Sequence, residues 1–344
     1  MKFFDTHCDT VQKVLSGKLD FITGEGEGHI SLPGMLSAGS CAQIFACFVL
    51  SEHYPGTERA RAEEMIHTIE RMAADSNGRM KIARTAAELE ESCDDGPIAA
   101  LIGLEGADPL EGKAENLRHF YDLGVRDIIP AWKDNPFSGT AFGTNTPLTD
   151  EGIKLIELAE ELHVMVDVSH LSDTALESVL KIATRPFIAS HSNCRAICPT
   201  LRNLTDPQIK AIADRGGVMG INLAPAFLDP DYFARTFHLF QRSLIPGTSE
   251  EDKEHLRVEL GAVPLPTVDW MAEHVKHAIK VGGEDVIGIG GDLDGIYAPP
   301  LGIERINDYA KIPDLLLQAG LRPRQVEKVC YRNFLRVFSE VLPD

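Results

Sequence analysis

The chain has no Cys-x-x-Cys pair, no low-complexity tract, no short-period repeat and no apolar run approaching the length of a membrane span. Its seven cysteines are scattered and odd in number, which indicates neither a sulfur-bound metal nor a disulfide framework. No basic-then-apolar leader opens the sequence, and no hydrophobic tail of the kind an anchor needs closes it. The expectation is therefore a cytoplasmic protein with reduced thiols. Basic residues are in deficit: 33 Lys and Arg face 52 Asp and Glu, for a formal net charge of −19. Such a balance argues against nucleic acid and anionic membranes as partners. What is present is ample core material, with 44% hydrophobic residues in 344. That length fits two domains or one α/β barrel with insertions.

Short apolar runs recur between longer stretches of helical period. Eight runs read as strands: Phe3–Asp9, Ala42–Leu50, Ile98–Glu105, Arg126–Trp132, Val164–His170, Pro186–His191, Val218–Leu223 and Val286–Asp292. Helices are predicted between them. Thr57–Ser76 carries Met65, Ile69 and Met72 on one face and stops at Asn77-Gly78. Ala114–Leu123 ends at Gly124, Ser172–Ile182 opens on a serine cap, and Thr149–Leu162, Gln208–Asp214 and Thr267–Val281 follow the same logic. Alternation of this kind predicts a single (β/α)8 barrel of the TIM type over residues 1–344. Residues 225–266 form one overlong connection rich in Phe227, Tyr232, Phe233, Phe237, Leu239 and Phe240, read either as a lid or as a peripheral helical insertion. Closing helices are expected within 305–341.

In such barrels the chemistry gathers where the strands end. The first strand delivers His7 and Asp9, two apart and therefore on one face. Three later runs end on Glu105, His170 and His191, and the last ends on Asp292. Any one of these alone is an ordinary polar strand end. Five strands feeding imidazoles and carboxylates to one mouth call for a metal, Zn²⁺ first, with Mn²⁺ or Fe²⁺ as competitors. The set is too large for one catalytic zinc, which takes about three protein ligands and a water. Two divalent ions sharing Glu105 fit the count: His7 and Asp9 on one, His170 and His191 on the other. Asp292 is then left to face a bridging water as general base.

The segments Asp5-Thr6-His7-Cys8-Asp9, Gly103-Leu104-Glu105-Gly106, Asp167-Val168-Ser169-His170, Ser190-His191-Ser192 and Gly290-Gly291-Asp292-Leu293-Asp294-Gly295 together resemble the membrane (renal) dipeptidase family of metallopeptidases. His29-Ile30-Ser31-Leu32-Pro33, Gln43, Arg202-Asn203-Leu204 and Asn333-Phe334-Leu335-Arg336-Val337-Phe338 extend the likeness over nearly the whole chain. The resemblance implies the same barrel, two zinc ions held by His7, Asp9, Glu105, His170 and His191, proton transfer by Asp292, and hydrolysis of dipeptides. It also implies that Arg202 meets the substrate carboxylate and that the protein forms a homodimer. One position departs. Aligned on Gly124-Val125-Arg126, Trp132 stands where family dipeptidases often carry a substrate-contacting His. An indole can donate a hydrogen bond but cannot accept a proton, so this departure bears on substrate and rate more than on metal binding.

The expected function is hydrolysis of short peptides through a metal-bridging hydroxide. Two rivals stand beside it: a metal-dependent hydrolase of other amide or lactam substrates, and a metal-stabilised binding protein without turnover. Retention of five ligands and Asp292 argues against the second. His67, His119, His274 and His277 fall in predicted helices away from strand ends and are read as surface or packing groups. Asp294 is read as structural, binding loop amides or a neighbouring cation.

Overall fold

The computed structural model describes residues 1–243 and 249–344; side chains are described throughout these except at 240, 243, 250 and 253. Nine parallel strands form the sheet: β1 (Phe3–Cys8), β2 (Ser40–Phe48), β3 (Met80–Ile82), β4 (Ile98–Glu105), β5 (Val125–Ile129), β6 (Met165–Val166), β7 (Ile188–Ala189), β8 (Val218–Ile221) and β9 (Ile287–Ile289). Their order is β6-β5-β4-β2-β1-β9-β8-β7, and a parallel bridge between Asp167 and Ile188 joins the two ends. Eight of the nine strands are the eight predicted runs, and they form the (β/α)8 barrel.

β3 is the extra strand. It pairs with the start of β4 at Ile98 to Ala100, and β5 takes over that edge from Ile102 onward. β1 and β4 are buried along their whole length, as strands covered on both faces must be. Several strands end sooner than the apolar runs do. In Val164–His170 only Met165 and Val166 form a strand, and Asp167 adds the single bridge to Ile188. Beyond them the Asp167 carboxylate accepts a hydrogen bond from Ser169 N at 2.9 Å, which folds the chain into a turn.

The helices follow their caps. Thr149, Ser172 and Thr205 each accept a backbone N–H three residues on, opening Asp150–Glu161, Asp173–Ile182 and Asp206–Asp214. Among the described residues outside 225–266, three helices were not predicted: Thr10–Leu15, Leu32–Ala38, capped by Ser31, and Ala86–Asp94, opened by a Thr85/Glu88 capping box. Within 225–266 the described residues are helical at Pro225–Leu228, Pro230–Ser243 and Glu250–Gly261. Residues 244–248 of that connection and the side chain of Phe240 lie outside the described residues. The expected closing helices are Ile312–Gln318 and the stretch from Pro323 to Val341, which passes through a π-helical turn at Lys328–Arg332. Among the described residues no helix is long and apolar enough to cross a membrane.

Candidate metal centre

His7 and Glu105 stand at the inner rim of the barrel because β1 and β4 end there. Beneath them Asp5 ties the rim together. Its Oδ1 accepts His7 N at 3.1 Å and Gly291 N at 2.9 Å, and its Oδ2 accepts the Tyr309 hydroxyl at 2.7 Å. Asp167 does the same on the other side, accepting Ser169 N at 2.9 Å and Ser190 N at 3.0 Å. Two buried carboxylates thus fix the backbones that present His7, His170, His191 and Asp292. His170, Asp292 and Asp294 have φ of 70°, 59° and 70°, a region non-glycine residues seldom adopt. Backbone held there is over-determined by its surroundings, a common mark of a working site.

The five expected ligands converge. Glu105 Oε2 lies 3.3 Å from His7 Nε2, whereas its Oε1 lies 2.9 Å from His170 Nε2 and 3.7 Å from His191 Nε2. His7 Nε2 is 3.6 Å from Asp9 Oδ2. The two histidines of the other group bring their Nε2 atoms to 2.8 Å. Nδ1 of His191 meets Ser190 Oγ at 2.6 Å, which leaves Nε2 as the nitrogen turned to His170 and Glu105. The ring of His7 stacks on that of His191 at 3.7 Å.

Asp292 stands beside this cluster. One of its carboxylate oxygens, a ring nitrogen of His7 and a carboxylate oxygen of Asp9 all lie within 4.8 Å of one another. The cause is local: the left-handed turn at Asp292 and Asp294 folds the loop back, and Gly295 leaves room for it. A Cβ on Gly295 would collide with Asp9 Oδ2 and Asp292 Oδ1. Asn222 Nδ2 donates to Asp292 Oδ2 at 2.8 Å. The sequence reading passed over Asn222, although it lies in the Val218–Leu223 run, just past the end of β8.

Electrostatics favour a cation here. Asp9 and Glu105 are buried, with Asp292 half-buried beside them. Burial raises Asp292 to about 7, opposed by His7 and reinforced by Asp9 and Glu105. Burial alone would lower His7, but the Glu105 and Asp9 charges override it and hold the imidazole well above its usual range. Burial, then the Arg202 charge, takes His170 down to about 3, so its nitrogens are free of a second proton. His7 Nε2 is buried and has no hydrogen-bond partner among the described residues. An orphaned imidazole nitrogen between two carboxylates is the arrangement a divalent ion completes.

Arg202 and Trp132 border the same cavity, of about 1060 Å³. Arg202, only 4% exposed, donates from Nε to His170 Nδ1 at 3.2 Å and from Nη1 to Ser192 Oγ at 2.8 Å, while Nη2 has no partner among the described residues. Burial lowers its pKa to about 10, so it stays charged at neutral pH. The Trp132 ring lies 4.8 Å from Phe48 and 6.0 Å from His170. Asp294 accepts Thr10 Oγ1 at 2.6 Å and His29 N at 2.7 Å, holding loops at the mouth. The four helical histidines stand apart from this cluster. His274 is fully buried, accepting Cys194 N on Nδ1 at 3.1 Å with Nε2 2.9 Å from Leu228 O.

The model of the membrane dipeptidase family matches residues 1–342. An uncharacterized protein in the pqqA 5' region of Klebsiella pneumoniae is 33% identical over 289 residues, covering 81% of this chain and 95% of that one. Human dipeptidase 3 is 28% identical over 322 residues, covering 91% of this chain and 59% of that protein, so the chain spans little more than half the length of this mammalian relative. The crystal structure of dipeptidase AC, a metallopeptidase, superimposes with a TM-score of 0.86 at 26% identity, covering 100% of this chain and 99% of that one. A Rhodobacter sphaeroides metallopeptidase, solved with a phosphinate mimic of the dipeptide L-Ala-D-Ala, shares the fold with a TM-score of 0.85 at 24% identity and 99% coverage of both chains. This chain belongs to the membrane dipeptidase family.

Proposed function

We propose that the protein is a dinuclear metal-dependent dipeptidase. The observation that carries this reading is the division of Glu105 between two groups, one oxygen 3.3 Å from His7 Nε2 and the other 2.9 Å from His170 Nε2. Glu105 then bridges two sites, His7 and Asp9 completing one, His170 and His191 the other, with Zn²⁺ the favoured ion. Divalent ions held by these five residues would supply activation of a water as nucleophile and polarisation of the scissile carbonyl.

The protein's own groups do the rest. Asp292, held by Asn222 beside the ligand cluster, takes a proton from the nucleophile and returns it to the leaving amine. Arg202 offers its unpartnered Nη2 to the C-terminal carboxylate of the substrate. A fixed cation that close to the reaction centre limits substrates to short peptides. Trp132 walls the cavity beside His170 and can donate one hydrogen bond to the substrate.

The test is a panel of dipeptides of both chiralities with the zinc-reconstituted protein. The expected result is hydrolysis that a chelator abolishes. Cleavage of lactams or blocked amides with no cleavage of any dipeptide would move the assignment to another amide hydrolase.

A further inference from the structure

The cavity wall beside Arg202 is aromatic. Phe142, in the loop after β5, lies 6.3 Å from Phe227 and 6.2 Å from Phe237, and Phe237 lies 4.7 Å from Phe233. All four rings border the cavity and are only partly buried. The wall is held in place from behind. Phe227 O accepts Asn193 Nδ2 at 3.1 Å and Asn203 Nδ2 at 2.9 Å, and the next carbonyl, of Leu228, is bonded by His274. The same cavity is also lined by the charged side chains of Lys13, Lys18, Glu52 and Arg61. Clustered, half-covered aromatic rings inside a cavity mark a place where an apolar group is received.

Arg202 decides which group that is. Its Cζ stands 5.9 Å from the centre of the Phe227 ring. A carboxylate held by that guanidinium is therefore brought close to the aromatic wall. The carbon bearing that carboxylate is one bond further on, so its side chain is the first to meet the wall. Resting on the dipeptidase reading of this site, we propose that Phe142, Phe227, Phe233 and Phe237 form a specificity subsite for a bulky apolar side chain on the C-terminal residue of the substrate. A charged side chain there is stripped of water without a partner, and a glycine leaves the rings wet.

The experiment compares kcat/KM of the full-length, zinc-reconstituted protein on Ala-Gly, Ala-Ala, Ala-Leu, Ala-Phe and Ala-Asp, with each chiral C-terminal residue in both configurations. Ala-Phe in its better configuration should exceed Ala-Gly about 10- to 100-fold. Phe227→Ala and Phe237→Ala should each narrow that ratio several-fold, and Phe237→Leu should restore most of it. A folding defect lowers all substrates together and leaves the ratio untouched. A ratio near one, or a ratio unmoved by both alanine variants, overturns the subsite. A calorimetric arm separates the two readings, using N-acetyl-phenylalanine and N-acetyl-glycine as probes that need no turnover. Tighter binding of the phenylalanine compound without hydrolysis of any dipeptide upholds the subsite and removes the dipeptidase. Hydrolysis with equal binding of the two probes does the reverse.

Discussion

Arg202→Lys should cripple the enzyme on free dipeptides and spare it on blocked ones. The guanidinium spends Nε on His170 at 3.2 Å and Nη1 on Ser192 at 2.8 Å, keeping Nη2 for the ligand. Lysine carries a point charge on a flexible stem and cannot hold all three directions at once. A hydrogen bond to a charged group contributes about 1.5–3 kcal/mol, which corresponds to a loss of about 10- to 150-fold in kcat/KM. That loss falls on substrates with a free C-terminal carboxylate. Their carboxamide counterparts never made the interaction and should change by less than about threefold, a shift within the spread of an unrelated contact. Because Arg202 is buried, the variant needs a thermal melt beside the kinetics; the comparison between the two substrate series cancels any loss of folded protein. Equal losses on both series would refute the carboxylate assignment and leave Arg202 as a brace for His170.

Asp292→Asn keeps shape and removes the basic oxygen, so kcat should fall by about 10²- to 10⁴-fold with metal content retained; loss of one ion with normal residual turnover would make Asp292 a ligand instead. Gly295→Ala should weaken metal binding about 10- to 100-fold by pushing Asp9 and Asp292 apart, measured by competition with a chelator; unchanged affinity would mean the loop yields freely. His274 is neutral in the fold, its pKa depressed by burial from 6.5 to about 4. Its contribution is therefore complete above about pH 6.5 and lost as pH falls toward 4, about 3 kcal/mol over that window. Urea unfolding of the metal-free protein should lose that much more stability between pH 7 and pH 4 than His274→Gln does, and parallel pH curves would contradict it.

The ends of the strands were legible because burial on both faces makes a run apolar and the mouth then interrupts it with a polar residue. His7, Glu105 and Asp292 could be found that way, and so could Asn222, had the Val218–Leu223 run been read for its polar member. β3 left almost no trace: three residues, one of them Lys81, carry no period. The helix at Ala86–Asp94 did leave one, since Thr85 and Glu88 spell a capping box, and Ser31 with Pro33 marks the start of Leu32–Ala38 in the same way. Other features are properties of the folded chain alone. The unpartnered Nη2 of Arg202, the approach of Asp292 to Asp9 across Gly295, and the meeting of Phe142 with Phe227 and Phe237 depend on contacts between residues far apart in sequence. No local pattern encodes them.

The account turns on Glu105 serving two ions. Zinc should be titrated into chelator-stripped wild type and Glu105→Gln, with bound metal counted by elemental analysis after removal of the excess. Two ions per wild-type chain are expected, with both sites weakened together in the variant, because the amide removes an anionic oxygen from one site and charge from the pair. One ion per wild-type chain at saturation, or a variant that loses one site and keeps the other at full affinity, would contradict it.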